Sequence, residues 1–498
     1  MPYVIGCDLG SQSVKAVVAD DAGVVIGTAA APLDITHRHP GWADQDPRQW
    51  LAAVGEAVRQ ARRASGVAAD EVAGLAFASQ VDGAVAVNAA NQPLAPAIIW
   101  MDRRATAEAY AFERRLGTDA IWGITGLNPD AYHVVPKIAW LRAHDPAARE
   151  ADAFLLPGSF LAAWCTGERV VDHANASSSL LYDVRRRAWS GPLLEAANLD
   201  ERRLATIREA GEPAGCLRPD VAAELELTTQ CRVAVGTGDE HAACLAAGLI
   251  GPGPVCDISG TAEPVAAAAR DPVVDDTRLV ETHAHAVPDV WLIENPGFVS
   301  GGTTRWLAGI LGVGQERLPE LAREAAPGSD GVLFLPALSG SMTPRWNANA
   351  RGAFSGLALS HTTGHLARAA YEGLAYALRD IVDRLSELGL ANGELRVVGG
   401  GARSDFWLQL KADVTGRPVR LVESPEATAV GAAMLASQAA GLVARLDQAV
   451  AAFVRLAPWL VEPSQDAATR ETYTDGYARY RRLFDQLEPT VAFAEGQP

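Results

Sequence analysis

Apolar positions recur at two different spacings along this chain, and each change of spacing marks a predicted element. YVIGCD (3–8), SVKAVVAD (13–20) and GVVIGTAA (23–30) are short apolar runs, and DDAG (20–23) supplies the turn between the last two. GWADQDP (41–47) is a polar loop. Pro47 then opens a helix in which Trp50, Leu51, Val54 and Val58 recur at helical spacing. EVAGLAFAS (71–79) and AVAVN (84–88) predict two more strands, with NQP (91–93) as a turn. Strands alternating with helices predict an α/β domain.

The design starts again near the middle. GPVCDISGTAEPVAAAA (253–269) has an apolar strand ending in aspartate, a turn of small residues and a second apolar strand. The first copy reads CDLGSQSVKAVV and the second CDISGTAEPVAA, which predicts two domains with the same core, each presenting an Asp–turn element. Glycine and proline cluster in LIGPGP (249–254), so residues 1–248 are taken as one domain and residues 249–498 as the other. Further on, Leu366, Ala370, Leu374, Ala377, Ile381, Leu385 and Leu388 step by three or four. They predict a core helix from His365, ~36 Å long at ~1.5 Å per residue, with Gly389 as its stop. A strand (394–398), three glycines, a helix from near Ser404, an Ala/Gly-rich helix (427–441) and a polar helical tail follow.

Composition narrows the function classes. The 498 residues, 49% apolar, are enough for two large domains or three smaller ones. No apolar run approaches the ~18 residues of a membrane span. MPYVIGCDLG reads as the start of a strand and not as a signal peptide, so a cytoplasmic protein is expected. Six cysteines, at 7, 165, 216, 231, 244 and 256, form no CxxC pair and predict reduced, mostly buried thiols. Lys and Arg number 43 against 60 Asp and Glu, a net charge of −17. A nucleic-acid partner would need a basic face, and the three arginines at 185–187 read as a solvated loop.

Four turns could carry chemistry. Gly399, Gly400 and Gly401 join a strand to a helix start, where backbone N–H groups are free and a ligand can approach the chain. The triplet reads equally as a tight turn, and it is neither GxxxxGK[ST] nor GxGxxG. In DLGSQSVK (8–15), Asp8 ends a strand and small polar residues follow, which suits a magnesium-bound phosphate as well as a plain hairpin. Asp8 would hold the metal through water, with the Gly10–Ser13 amides and hydroxyls on phosphate oxygens. In GTGDEHAACLAAGL (236–249), Asp239 opens an alanine-rich helix whose dipole should keep it ionised. It is either an N-cap or a general base, and the loose transition state of phosphoryl transfer needs only a weak base. ISGTAE (258–263) is the counterpart of the first loop, with Gly260 and Thr261 facing the outer phosphates.

Histidines add little at this level. His283 and His285, two apart on a presumed strand, could share a metal, but no third ligand is evident, and His37 and His39 in a loop are read the same way. No GxSxG nucleophile elbow occurs.

In order along the chain, GCDLGSQSVKAVV, GWADQDPRQW, IIWMDRR (98–104), PKIAWLR (136–142), VGTGDEHAA, DISGTAE, SGGTTRWL (300–307), the stretch 334–373 and VVGGGARSDFWLQLKAD (397–413) resemble the FGGY carbohydrate kinases over nearly the whole length. The ARSDFW and LSGSMTP segments are most similar to the xylulokinase branch. The resemblance implies an α/β fold of two ribonuclease-H-like domains around a central cleft, the actin, Hsp70 and hexokinase type of ATPase. It implies ATP and Mg2+ as cofactors, Asp239 as catalytic base and Asp8 as the magnesium-associated carboxylate. Gly10, Ser11, Ser13, Lys15, Gly260, Thr261, Gly301, Gly302, Gly400 and Gly401 would bind ATP, the last two against the adenosine. Gln80, Val81, Asp82, Tyr132, Asp239 and Glu240 would bind the acceptor.

The acceptor segment SQVDG (79–83) departs from the branch. Xylulokinases typically carry Met-His where this chain has Val81-Asp82, glycerol kinases have Arg-Glu there, and erythritol kinases are similar with Gly-Asp-Gly. An ionised Asp82 only accepts hydrogen bonds and so selects a vicinal diol. The expected reaction is ATP-dependent phosphorylation of a terminal hydroxyl, D-xylulose to D-xylulose 5-phosphate first and a polyol (erythritol, ribitol or glycerol) second. An actin- or Hsp70-like ATP-binding module without catalysis is the rival of a different class. A small sugar or polyol and MgATP are the expected partners, without nucleic acid or membrane, and a homodimer is the self-association allowed for.

Overall fold

The computed structural model describes residues 2–424 and 426–491. The opening hairpin forms as predicted: β1 (Tyr3–Leu9) and β2 (Ser13–Ala19) pair antiparallel, and β3 (Val25–Pro32) adds outside β2. α1 (Pro47–Ser65) covers one face. Its N-cap Asp46 accepts from the Arg48 amide at 3.0 Å, and Gly66 ends it in the left-handed conformation. Trp50, Val54 and Val58 are fully buried, so the helical spacing is the buried face. β4 (Val72–Ser79) then returns parallel to β1, and β5 (Pro213–Cys216), β6 (Arg232–Ala234) and the short β7 (Thr237–Gly238) complete the sheet. The order is β5-β6-β4-β1-β2-β3, with β7 pairing on the end of β4. β7 runs directly into α2 (Asp239–Ala246).

The second sheet repeats this plan. Its strands are β8 (Gly253–Ile258), β9 (Glu263–Ala269), β10 (Glu281–Ala284), β11 (Trp291–Phe298), β12 (Ala391–Val398) and β13 (Val419–Leu421). They run in the order β10-β11-β9-β8-β12-β13. In each sheet the first strand lies between its hairpin partner and a parallel strand reached by a crossover: β1 between β2 and β4, β8 between β9 and β12. The repeat read from two Asp–turn segments is therefore a repeat of topology, the doubled ribonuclease-H-like plan. α3 (Gly301–Leu311) follows β11. α4 (Thr363–Glu387) begins two residues before the predicted His365, and Gly389 takes φ 76 just beyond it. α5 (Asp405–Thr415) is capped by Ser404, whose hydroxyl accepts from the Trp407 amide at 3.3 Å.

α6 (Ala427–Ala439) joins the two halves. It is apolar all round, and such a helix must be buried on all sides. A Cβ on Gly6 of β1 would collide with the Ala429 carbonyl, and one on Gly431 with the Ala242 carbonyl of α2. The helix thus lies at backbone contact with both, in an alanine-lined core shared by the two sheets. The polar tail forms α7 (Ala467–Val491), which buries Tyr473, Tyr480 and Phe484. All six cysteines are free, and only Cys216 is exposed. Among the described residues no helix is long and apolar enough to cross a membrane.

Candidate active site

Strand register brings the two predicted carboxylates to one edge. Asp8 of β1 pairs with Ala78 of β4, and Ala78 pairs with Thr237 of β7. At ~4.8 Å between strands, the Asp8 and Thr237 backbones lie ~10 Å apart, and Asp239 follows at the start of α2. Burial, and then the charge of Asp239, raise the Asp8 carboxyl to about 7. Asp239 is raised to about 8, first by burial and then by the adjacent Glu240. Its Oδ1 accepts from the Glu240 amide at 3.0 Å, which opposes the rise without cancelling it. This corrects the expectation from the helix dipole: desolvation among like charges outweighs the field of one helix end. Two partly exposed carboxylates at one sheet edge have the chemistry a hydrated divalent ion requires.

The loops assigned to ATP come together, though most of their glycine amides point elsewhere. Gly10 donates to Ser13 O at 3.1 Å and Gly260 to Ile258 O at 2.9 Å. Gly301 donates to Gly260 O, Gly302 to Thr261 O, both at 3.1 Å, and Gly401 to Ser259 O at 3.0 Å. The Gly301, Gly302 and Gly401 amides tie three loops to each other, while those of Gly10 and Gly260 close turns within their own loops. A Cβ on Gly301 would meet the Gly260 carbonyl at 2.5 Å, and one on Gly401 would strike the Ser259 hydroxyl, so glycine is required for three loops to touch. Gly400 is exposed with open space beside it, and Ser11 and Ser13 are partly exposed. Lys15 is not free: its Nζ pairs with Glu426 at 2.8 Å.

Beneath these loops lies an ion cluster that motif reading did not identify. Lys411 is fully buried and pairs with Asp257 and with Glu263 (3.0 Å), and it donates to the Ser259 hydroxyl at 3.2 Å. Asp257, expected to present itself as Asp8 does, faces this lysine instead. Burial and then Glu263 raise it to about 7.

The residues predicted for the acceptor divide between the end of β4 and the edge strand β10. Gln80 donates its amide to Leu9 O (2.8 Å) and its side chain to Gln45 Oε1 (2.8 Å), and Gln45 reaches Ser11 O at 2.7 Å. Val81 packs on Gly238. Asp82 is 4% exposed with φ 56, a strained conformation for a residue with a side chain. Its carbonyl accepts from buried Lys137 at 2.5 Å, and burial lowers that lysine to about 7. Its Oδ1 is 3.4 Å from His133 Nδ1. His133 was not foreseen. Its Nδ1 is 2.7 Å from Ser178 O and its Nε2 3.1 Å from Asn128 O. Carbonyls only accept, so both nitrogens carry protons and the ring is an imidazolium. Burial pulls its pKa down, but Asp82 together with Glu281 and Asp130 outweighs that and the net shift is upward.

Tyr132 donates its hydroxyl to Glu281 Oε2 at 3.1 Å, and the Asn128 amide donates to Glu281 Oε1 at 2.7 Å. Glu281 lies on β10, so this contact docks the second sheet's edge on the first half. Glu240 of α2 and Glu294 of β11 are opposed carboxylates. Burial and then Glu294 hold Glu240 well above the carboxylate range, while burial and then Glu281 raise Glu294 to about 8. His283 Nε2 is 3.3 Å from Glu294 Oε1, whereas His285 turns to Leu249 O (2.8 Å) and to His241. The paired-histidine reading thus separates into two unlike environments. Among the described residues no group of three His, Cys, Asp or Glu side chains has metal-holding geometry.

Paired ribonuclease-H-like sheets, phosphate-type loops and opposed carboxylates at a strand edge define a two-lobed phosphotransferase. The models for the FGGY family of carbohydrate kinases match, the N-terminal domain over residues 3–246 and the C-terminal domain over 258–440. The chain belongs to the FGGY family of carbohydrate kinases, and it is a sugar kinase. It is 30% identical to the xylulose kinase of Escherichia coli, covering 98% of this chain and 100% of that protein. It is 32% identical to the glycerol kinase of Citrifermentans bemidjiense, covering 97% and 99%. The crystal structure of xylulose kinase from Rhodospirillum rubrum matches with a TM-score of 0.89 at 29% identity, covering 98% and 99%. Kinases of this family use ATP as the phosphate donor.

Proposed function

We propose that this kinase transfers the terminal phosphoryl group of ATP to a terminal hydroxyl of a small acyclic sugar, with D-xylulose as the first acceptor. The observation that carries this is Asp239 at the start of α2, opposite Asp8, with a carboxyl raised to about 8. Its Oδ1 is engaged by the Glu240 amide. Oδ2 is therefore the atom that takes the hydroxyl proton as the hydroxyl oxygen attacks the phosphorus. A proton acceptor with this pKa is well matched to neutral pH. Asp8 would hold a magnesium ion through water, and that ion would neutralise phosphate charge. The hydroxyls of Ser11, Ser13 and Thr261 would face phosphate oxygens, and the open side of Gly400 would receive the adenosine. Acceptor and base belong to residues 1–248 and the ATP loops mainly to 249–498, so closing the two lobes would exclude water as a competing acceptor.

A polyol is the second reading, because Asp82 and Glu240 are carboxylates where an acceptor's hydroxyls would sit. ADP release measured with and without D-xylulose, ribitol, erythritol and glycerol tests both. ATP turnover that ignores every acceptor would overturn phosphotransfer to sugar. The acceptor giving the highest kcat/KM decides between ketose and polyol.

A further inference from the structure

The proposed base stands on a short support. Asp239 opens α2 directly after β7, which is two residues long. On one side β7 is held by β4, where Thr237 pairs with Ala78 and Gly238 with Ser79. Gly238 can carry no anchoring side chain: a Cβ there would meet Val81 Cγ1 at 2.7 Å and His241 Cδ2 at 3.1 Å. Gly236, just before β7, takes φ 85, and a Cβ on it would strike the Phe77 carbonyl at 2.5 Å. Between these two glycines only Thr237 has a side chain with which to fix the stretch that carries the base. Thr237 is buried, and its hydroxyl donates to Asp172 Oδ2 at 2.7 Å.

Asp172 is itself immobilised. It ends a strand (Val170–Asp172) that pairs parallel with Thr206–Arg208, and it N-caps the helix His173–Ser177. Its buried carboxyl accepts from four donors. Oδ1 takes the Asn175 amide at 3.1 Å and Asn175 Nδ2 at 2.8 Å; Oδ2 takes the Ala174 amide at 3.2 Å and the Thr237 hydroxyl. An N-cap needs only the helix amides, so the bond to Thr237 is additional to the cap and is the one that leaves the helix. The far end of the helix is tied as well. Ser177 Oγ accepts from the Ala284 amide of β10 at 3.1 Å, and His133 Nδ1 donates to Ser178 O at 2.7 Å. A side chain held on both oxygens, in a helix tied at both ends, keeps one orientation, which is what a support for a reacting group requires.

We infer that Asp172 is a positioning residue for phosphoryl transfer: through the Thr237 hydroxyl it fixes β7 and so sets where the Asp239 carboxylate meets the attacking hydroxyl. The inference rests on the reading of Asp239 as the base. Asp172 acts at one remove, through Thr237 and the two residues that lead from it to Asp239. Breaking the link displaces the base without altering the ATP loops or the acceptor side chains. The effect therefore falls on kcat and leaves both KM values in place.

Thr237→Val tests this. It removes the hydroxyl and keeps the branched shape, while Asp172 retains its three helix donors. Coupled ADP release is followed with MgATP and whichever of the four acceptors gives the highest kcat/KM. kcat should fall ~10- to 100-fold, the scale set by a reacting group displaced by about 1 Å, with both KM values within about twofold of wild type. Thr237→Ser returns the hydroxyl and should recover most of kcat. In Asp239→Asn, where no base is left to position, adding Thr237→Val should change the residual rate by less than about twofold. Thr237→Ala makes the same deletion should the valine variant not fold. An unchanged kcat, an equal fall in both backgrounds, a loss spread over kcat and both KM values, or no recovery with serine would overturn the positioning role, leaving a contact that serves stability alone. Near-full turnover by Asp239→Asn would instead overturn the reading of Asp239 as the base, and the inference with it.

Discussion

Asp239→Asn separates proton transfer from everything else this residue does. Asparagine keeps the shape and an oxygen able to accept from the Glu240 amide, now at 3.0 Å from Oδ1. It cannot take up a proton, and loss of a positioned base reduces kcat by ~10²–10⁴-fold. The structure also fixes a pH signature. With the carboxyl raised to about 8 by burial and by Glu240, only about a tenth of the molecules carry the ionised base at pH 7. The rate through that base should rise about tenfold between pH 7 and 9, and the residual rate of the variant should be flat. Stability runs the other way. A folded-state pKa above the ordinary ~4 of a carboxyl contributes stability that is complete below ~4 and is lost as pH rises through the folded value. Asparagine never ionises, so the variant should gain in Tm on the wild type as pH goes from 5 to 9. Coupled ADP release at saturating MgATP and acceptor, with melting curves over the same pH range, measures both. Near-full turnover by the variant refutes the base. A variant that keeps the alkaline rise, or whose Tm falls with pH in parallel with the wild type, refutes the pKa argument.

Asp82→Asn retains a residue that tolerates φ 56 but removes the charge; acceptor KM should rise roughly 10- to 100-fold with ATP KM unchanged, and an unchanged acceptor KM removes Asp82 from the site. Lys411→Met leaves Asp257 and Glu263 buried without their cation. It should cost ~3–5 kcal/mol in urea unfolding and raise ATP KM through the Ser259 loop, so an unchanged unfolding midpoint would show that the cluster is not structural. His133 has a raised folded pKa, so its contribution is complete below ~6.5 and is lost as pH rises through the folded value. The Tm advantage of the wild type over His133→Gln should be largest near pH 5.5 and shrink by pH 8, and a constant advantage would mean the ring is not an imidazolium.

What could be read from the sequence divides by how local its cause is. The β1–β2 hairpin and its copy were legible because an apolar run, an aspartate and small turn residues lie within a dozen positions. α4 was legible because its buried face repeats at helical spacing. α6 was legible as a helix, yet its place against β1 was not, since an alanine-rich helix has no polar face to give a direction and the contact depends on Gly6 and Gly431 far apart in the chain. The same distinction runs through the site. Asp8 lies next to the end of β1 and Asp239 begins α2, and both could be named. The direction in which Asp239 titrates could not, because it follows from desolvation in the folded chain and then from Glu240. Residue by residue, Glu281, Glu294 and His133 look like ordinary strand and loop positions, and only the docking of β10 on the first half makes them one cluster. The proposed phosphate half of the site is built from loops, whose chemistry is written in consecutive residues. The proposed acceptor half is built from single side chains far apart in the chain, which leave no periodic trace. That is why the kinase class could be argued from short segments, while the acceptor turns on residues that only the folded chain brings together.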